Sequence, residues 1–154
     1  MKKTIIALML FVGLAVSQPV QCFNLVDEFG DPTLQKAVLV YGVGTQPCAI
    51  RFMATDSSSV NIMFENFLGT EPKIKNIRVR DERGETITIS GYYGYYGGVS
   101  NWSCNKKEYN ERLINLCKMN TTLRLAIDDY NGETFVYTLN CIGFLPAWDN
   151  FLSK

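Results

Sequence analysis

The closing part of the chain constrains its fold most. Leu123, Leu125 and Ile127 alternate with Arg124, Ala126 and Asp128, and Phe135, Tyr137, Leu139 and Cys141 alternate with Val136, Thr138 and Asn140. A period of two places each set on one side of a strand. Tyr130-Asn131-Gly132 lies between the two runs, and Asn-Gly between alternating apolar runs is the strongest short-range hairpin signal. The segment therefore reads as an antiparallel hairpin with the Leu/Ile and Phe/Tyr/Leu sets on a shared face. That face has to be core, because a slip of one residue would expose the whole set.

The same rhythm runs through much of the preceding sequence. Ala37 to Val43 is continuously apolar apart from Tyr41 and Gly42, as expected of a strand buried on both faces. Cys48 to Ala54 and Val60 to Phe64 read as strands around the turn-rich segment 55–59. Ile74 to Arg80 and Thr86 to Ser90 flank Asp81-Glu82-Arg83-Gly84, a hairpin turn with glycine at its end. One segment departs from this rhythm. Between Lys106 and Lys118, Tyr109, Leu113, Leu116 and Cys117 fall on one side at helical spacing. Trp148 and Phe151 in the tail, 146–154, predict that it packs back on the sheet. The expected fold is all-β and mainly antiparallel, a small disulfide-containing sandwich or barrel with one short helical segment near 106–118.

Residues 1–17 read as a secretory signal peptide. Lys2 and Lys3 precede the apolar run Ile5 to Val16, and Ala15 and Ser17 supply small residues at cleavage spacing. The run is too short to span a bilayer and no longer one follows, so no transmembrane segment is expected. Cleavage after Ser17 leaves 18–154 as one domain; cleavage after Cys22 is the alternative. The expected location is extracellular, or periplasmic in a bacterium, so the cysteines read as disulfide candidates. Five are present: Cys22, Cys48, Cys104, Cys117 and Cys141. Cys104 and Cys117 bracket a short polar segment, and closing it would contribute about 3 kcal/mol in the chain-entropy model. A second pair is expected among Cys22, Cys48 and Cys141, with the choice left open by the sequence.

Composition excludes several activities. Histidine is absent, which removes Ser-His-Asp and Cys-His catalysis and His-ligated metals. Fifteen basic residues less Lys2 and Lys3 stand against fifteen acidic ones, a net −2. That balance does not provide the positive footprint of a nucleic-acid binder. Lys73, Lys75, Arg78, Arg80 and Arg83 cluster, but Asp81, Glu82 and Glu85 lie among them, as on a solvated strand face. Asp128 to Glu133 lacks the alternate-residue oxygen spacing of an EF-hand loop and reads as a turn. No catalytic residue, cofactor or metal site is expected.

The unusual element is Gly91-Tyr92-Tyr93-Gly94-Tyr95-Tyr96-Gly97-Gly98, followed by Trp102. Tyrosine offers large, rigid, amphipathic contact area at low entropy cost. Tyr92, Tyr93, Tyr95, Tyr96 and Trp102 are the candidate contact surface for an extracellular protein or a glycan. The opposing reading is a bulged edge strand whose tyrosines pack on their own sheet. Asn101-Trp102-Ser103 and Asn120-Thr121-Thr122 match the N-glycosylation acceptor and would be live in a eukaryote.

Ile74, Ile77 and Asp81, a glycine-rich stretch and the closing run 122–143 together resemble the small secreted insect proteins named after multiprotein bridging factor, second type. The segment Gly143 to Leu152 is similar to the end of the bacterial invasion-associated locus B family. The first resemblance implies a secreted β domain without catalytic residues. The expected function is a secreted, non-enzymatic binding domain. The alternatives are a carboxylate-dependent secreted hydrolase and a disulfide-linked matrix protein.

Overall fold

A computed structural model describes residues 19–26, 29–44, 48–54, 60–65, 74–96, 99–104 and 106–153, of which 54, 65, 92–96 and 99–101 are described by their backbone alone. The expected leader, residues 1–17, and the turn at 55–59 lie outside the described residues. Among the described residues, ten strands pair antiparallel into one open sheet, joined by two short helices. The mainly antiparallel all-β expectation holds. The strands do not divide into two separate sheets.

The centre of the sheet is β2 (Pro32–Val43). On one side it pairs with β3 (Cys48–Ala54), followed by β4 (Val60–Glu65), β8 (Val99–Cys104) and β7 (Tyr92–Tyr96). Its other side is shared. β1 (Val20–Val26) takes the stretch up to Val40, and β10 (Thr134–Asn140) takes only Gly42 and Val43. Beyond β10 come β9 (Thr122–Asp129), β5 (Ile74–Arg80) and β6 (Thr86–Ile89). The two wings therefore join through two residue pairs, Thr138 with Val43 and Leu139 with Gly42. A Cβ at Gly42 would lie 2.8 Å from both Leu139 Cδ2 and the Thr138 carbonyl oxygen, so the join needs glycine there.

Both wings feed one core. Val38, Val40, Ile50, Phe52, Ile62 and Phe64 from one wing pack in the same cluster as Ile77, Val79, Leu125, Ile127, Tyr137 and Leu139 from the other. The continuous burial expected of β2 is seen at Ala37 to Val40 and fades toward its exposed end at Val43. Ala37, with Met53 and Met63, forms a second, smaller cluster. β6 and β7 are the two ends of the sheet, yet only Ser90 and Gly91 separate them in the chain. A span of three residues reaches about 10 Å at most, so the end of β6 and the start of β7 lie close together although the two strands hold opposite ends of the strand order.

The closing hairpin has the expected register, with Phe135 opposite Ile127, Tyr137 opposite Leu125 and Leu139 opposite Leu123. Five of these six side chains are buried, and Phe135 is half-buried against the same core. Its turn repeats that of the β5–β6 hairpin. In Asp81-Glu82-Arg83-Gly84-Glu85, the Asp81 carboxylate accepts the amides of Arg83 (3.0 Å) and Glu85 (2.7 Å). In Asp129-Tyr130-Asn131-Gly132-Glu133, Asp129 accepts those of Asn131 (2.9 Å) and Glu133 (2.8 Å). Gly84 and Gly132 hold φ of 90° and 86°, the left-handed position of a hairpin with a G1 bulge.

Helix α1 (Lys107–Met119) is close to the helical segment expected at 106–118. It buries Leu113, Ile114 and Cys117, with Tyr109 and Leu116 packed beside them. Asn110 donates its side-chain amide to the Val60 carbonyl and fixes the helix to β4. The tail does pack back, as a second helix, α2 (Phe144–Leu152). Its Phe144 and Trp148 rings lie 5.3 and 5.9 Å from that of Phe52. Lys36 donates to the carbonyls of Asn150 (2.8 Å) and Ser153 (2.9 Å), placing a cation at the helix C-terminus.

Asp129→Ala removes the acceptor of two turn amides and is expected to cost about 1–2 kcal/mol in urea denaturation. Asp129→Asn keeps an acceptor oxygen and costs less. Leu125→Ala, in the packed interior, costs about 2–5 kcal/mol in the same measurement.

Candidate functional site

The aromatic segment forms the strand at one end of the sheet. Among the described residues, β7 pairs with β8 alone. Its register sets Tyr92 opposite Ser103, Tyr93 opposite Trp102, Gly94 opposite Asn101, Tyr95 opposite Ser100 and Tyr96 opposite Val99. Directly opposed residues share a sheet face and alternate positions change it. Tyr93 and Tyr95 therefore hold register positions on the face of Trp102, while Tyr92, Gly94 and Tyr96 hold positions on the other.

Trp102 is a core residue, which corrects its expected place in the contact surface. It is 1% exposed, and its ring meets Phe64 edge-on at 5.0 Å. Gly91 lies against it. A Cβ at that position would fall 2.7 Å from Trp102 Cζ2 and 2.3 Å from the Ser103 carbonyl oxygen. The first glycine of the aromatic segment is thus required by close approach to the tryptophan. Gly97 and Gly98 lie outside the described residues.

The cysteines depart from the expected pairing. In this structure none of the five is bonded to another, Cys104 and Cys117 included. The segment between them is a helix rather than a slack loop. From Lys107 to Cys117 its axis runs about 15 Å, carrying the second cysteine away from the first. Cys104 lies on β8, directly opposite Ile62 of β4. Cys117 is instead buried in the same core cluster as Cys141. Burial raises the pKa of Cys22 (offset in part by the Lys36 charge) and of Cys104, and pushes Cys48 up to about 12. Cys117 is also raised, by burial first and then by Cys141.

Of the two glycosylation signals, Asn101 lies in β8 beside the edge strand. Asn120 caps α1: its amide nitrogen donates to the Leu116 carbonyl (2.9 Å), and its oxygen accepts the Glu82 amide (3.3 Å). The Glu82 carboxylate in turn accepts the amides of Thr121 and Thr122, both at 2.9 Å, and both hydroxyls. The Thr121 hydroxyl and then the Thr122 amide hold its pKa below the ordinary 4.5.

The basic cluster lies as expected at Lys75, Arg78 and Arg80, which are exposed along β5. Arg78 forms a two-bond pair with Asp128 at 2.7 and 3.1 Å. Asn76 and Thr134 donate to the same carboxylate. Asp128 and Asp129, the residues a calcium reading would need, are thus engaged by an ion pair and by turn amides. Among the described residues no group of three or more His, Cys, Asp or Glu is placed to hold a metal ion.

Comparison with protein-family models, curated proteins and solved structures finds no match to this chain.

Two outcomes follow from this geometry. Gly91→Ala forces Trp102 or the β8 backbone to move and should cost about 1–3 kcal/mol, read from the urea midpoint. Glu82 has a lowered folded-state pKa, so its contribution to stability is complete above about pH 4.5 and is lost as pH falls through the folded value. The melting temperature should drop below that pH, and Glu82→Gln should flatten the drop.

Proposed function

We propose that this chain is a secreted, non-enzymatic binding domain whose contact surface is β7, with Tyr92 and Tyr96 as its principal contact residues. The observation that carries the reading is β7's place at the end of the sheet, with tyrosine at four of its five positions. The register separates the tyrosines by role. By register, Tyr93 and Tyr95 hold positions on the face of buried Trp102, and Tyr92 and Tyr96 hold positions on the other face, the one assigned to the partner. Aromatic faces at that spacing stack on sugar rings or on the apolar side chains of an extracellular protein.

The chemistry of the rest of the chain supports binding over catalysis. With no histidine, an enzyme would rely on carboxylates, tyrosine, lysine or cysteine. Burial moves the thiols of Cys22, Cys48, Cys104 and Cys117 upward, opposite to the direction that activates a nucleophile. Asp81, Asp128 and Asp129 are committed to turns and an ion pair. No helix among the described residues is long and apolar enough to cross a membrane.

The test is a glycan-array and extracellular-protein-array screen of the full secreted chain beside the double variant Tyr92→Ser/Tyr96→Ser. Binding should fall at least about tenfold, or about 1.4 kcal/mol, while the melting temperature stays nearly unchanged. Unchanged binding with a lower melting temperature would assign these tyrosines to packing and remove β7 as the contact surface.

A further inference from the structure

Three elements meet at Cys141. Its amide donates to the Thr121 carbonyl at 2.8 Å, continuing the β9–β10 ladder one step past Asn140 and Thr122. Its carbonyl accepts the Phe144 amide at 3.0 Å, where α2 begins. Thr121 follows directly on the end of α1, and the Asn120 amide donates back to the Leu116 carbonyl at 3.1 Å. The last turns of that helix carry Cys117. Cys117 and Cys141 are 1% and 3% exposed and belong to the same core cluster. Thr121, whose carbonyl takes the Cys141 amide, lies only four residues beyond Cys117, so the backbone brings the two buried cysteines to one corner of the core.

We propose that Cys117 and Cys141 are the structural disulfide of this protein, formed by exchange with an external disulfide such as oxidised glutathione. The thiolate of one cysteine attacks a sulfur of the external disulfide, forming a mixed disulfide and expelling one thiolate. The thiolate of the second cysteine attacks the protein sulfur of that mixed disulfide. The Cys117 Sγ–Cys141 Sγ bond forms and the second external thiolate leaves. The two cysteines give up two electrons and two protons, which the external disulfide takes up as two thiols. Because both sulfurs are buried once the chain is folded, exchange takes place before α1 docks. The product fixes the end of α1, the base of the closing hairpin and the start of α2 at one point. Cys22, Cys48 and Cys104 remain as thiols.

Peptide mapping of the full chain, refolded in a glutathione redox buffer, alkylated and digested with trypsin, tests this directly. Cys117 falls in the peptide Leu113–Lys118 and Cys141 in Leu125–Lys154, with no other cysteine in either. The expected product is these two peptides joined, with Cys104 alkylated in Gly84–Lys106. In parallel, reduction should lower the melting temperature of the wild type by about 10 °C and leave that of Cys117→Ala/Cys141→Ala unchanged. Alkylation of both Cys117 and Cys141, or a link from either to another cysteine, overturns the proposal. So does loss of the reductant effect in Cys104→Ala.

Discussion

The molecule depends on a splice between two half-sheets at one end of β2. β1 occupies most of that edge, leaving Gly42 and Val43 for β10. Two residue pairs would contribute little as isolated hydrogen bonds, each worth about 1 kcal/mol net. Their value lies in position. They connect β10, β9, β5 and β6 to β2, β3, β4 and β8, and buried apolar side chains from both wings belong to one core cluster.

The remaining parts sit around this shared core. α1 covers it beside β4, and α2 stacks Phe144 and Trp148 against Phe52. Lys118 of α1 lies over the Trp148 ring at 5.5 Å, linking the helices to each other. At the far end, Trp102 fills the core beneath the edge strand. Gly91 lies against the Trp102 ring at the start of β7, and by register Tyr92 and Tyr96 hold the positions opposite to the Trp102 face. The proposed disulfide lies at the meeting point of α1, the closing hairpin and α2, away from β7, the proposed contact strand, in the strand order.

Elements with a strong local period were legible in the sequence. The closing hairpin was readable because alternation and turn chemistry agree, and α1 because its apolar residues repeat at helical spacing. α2 was not, because its nine residues include Pro146 and its N-cap is Gly143 at φ 87° without a side-chain cap. Tertiary contacts with Phe52 and Lys36 hold it in place. Trp102 is near the tyrosines in sequence without sharing a surface with them, being buried in the core. The strand register, fixed by pairing with β4 as well as β7, sends it into the core. The cysteine pairing failed for a related reason: a short separation along the chain does not mean closeness when the segment between is a helix. The hairpin register, extended by one residue, already pointed to Cys141 beside Thr121 and hence beside the end of α1.

Native-state hydrogen exchange, resolved by residue, tests the shared core most directly. If the two wings form one cooperative unit, amides in β3 and β9 exchange with the same free energy, equal to that of global unfolding. The account predicts that equality for Ile50 and Leu125, which are central to opposite wings and fully buried. Exchange of either wing at a distinctly lower free energy, with the other still protected, would contradict it.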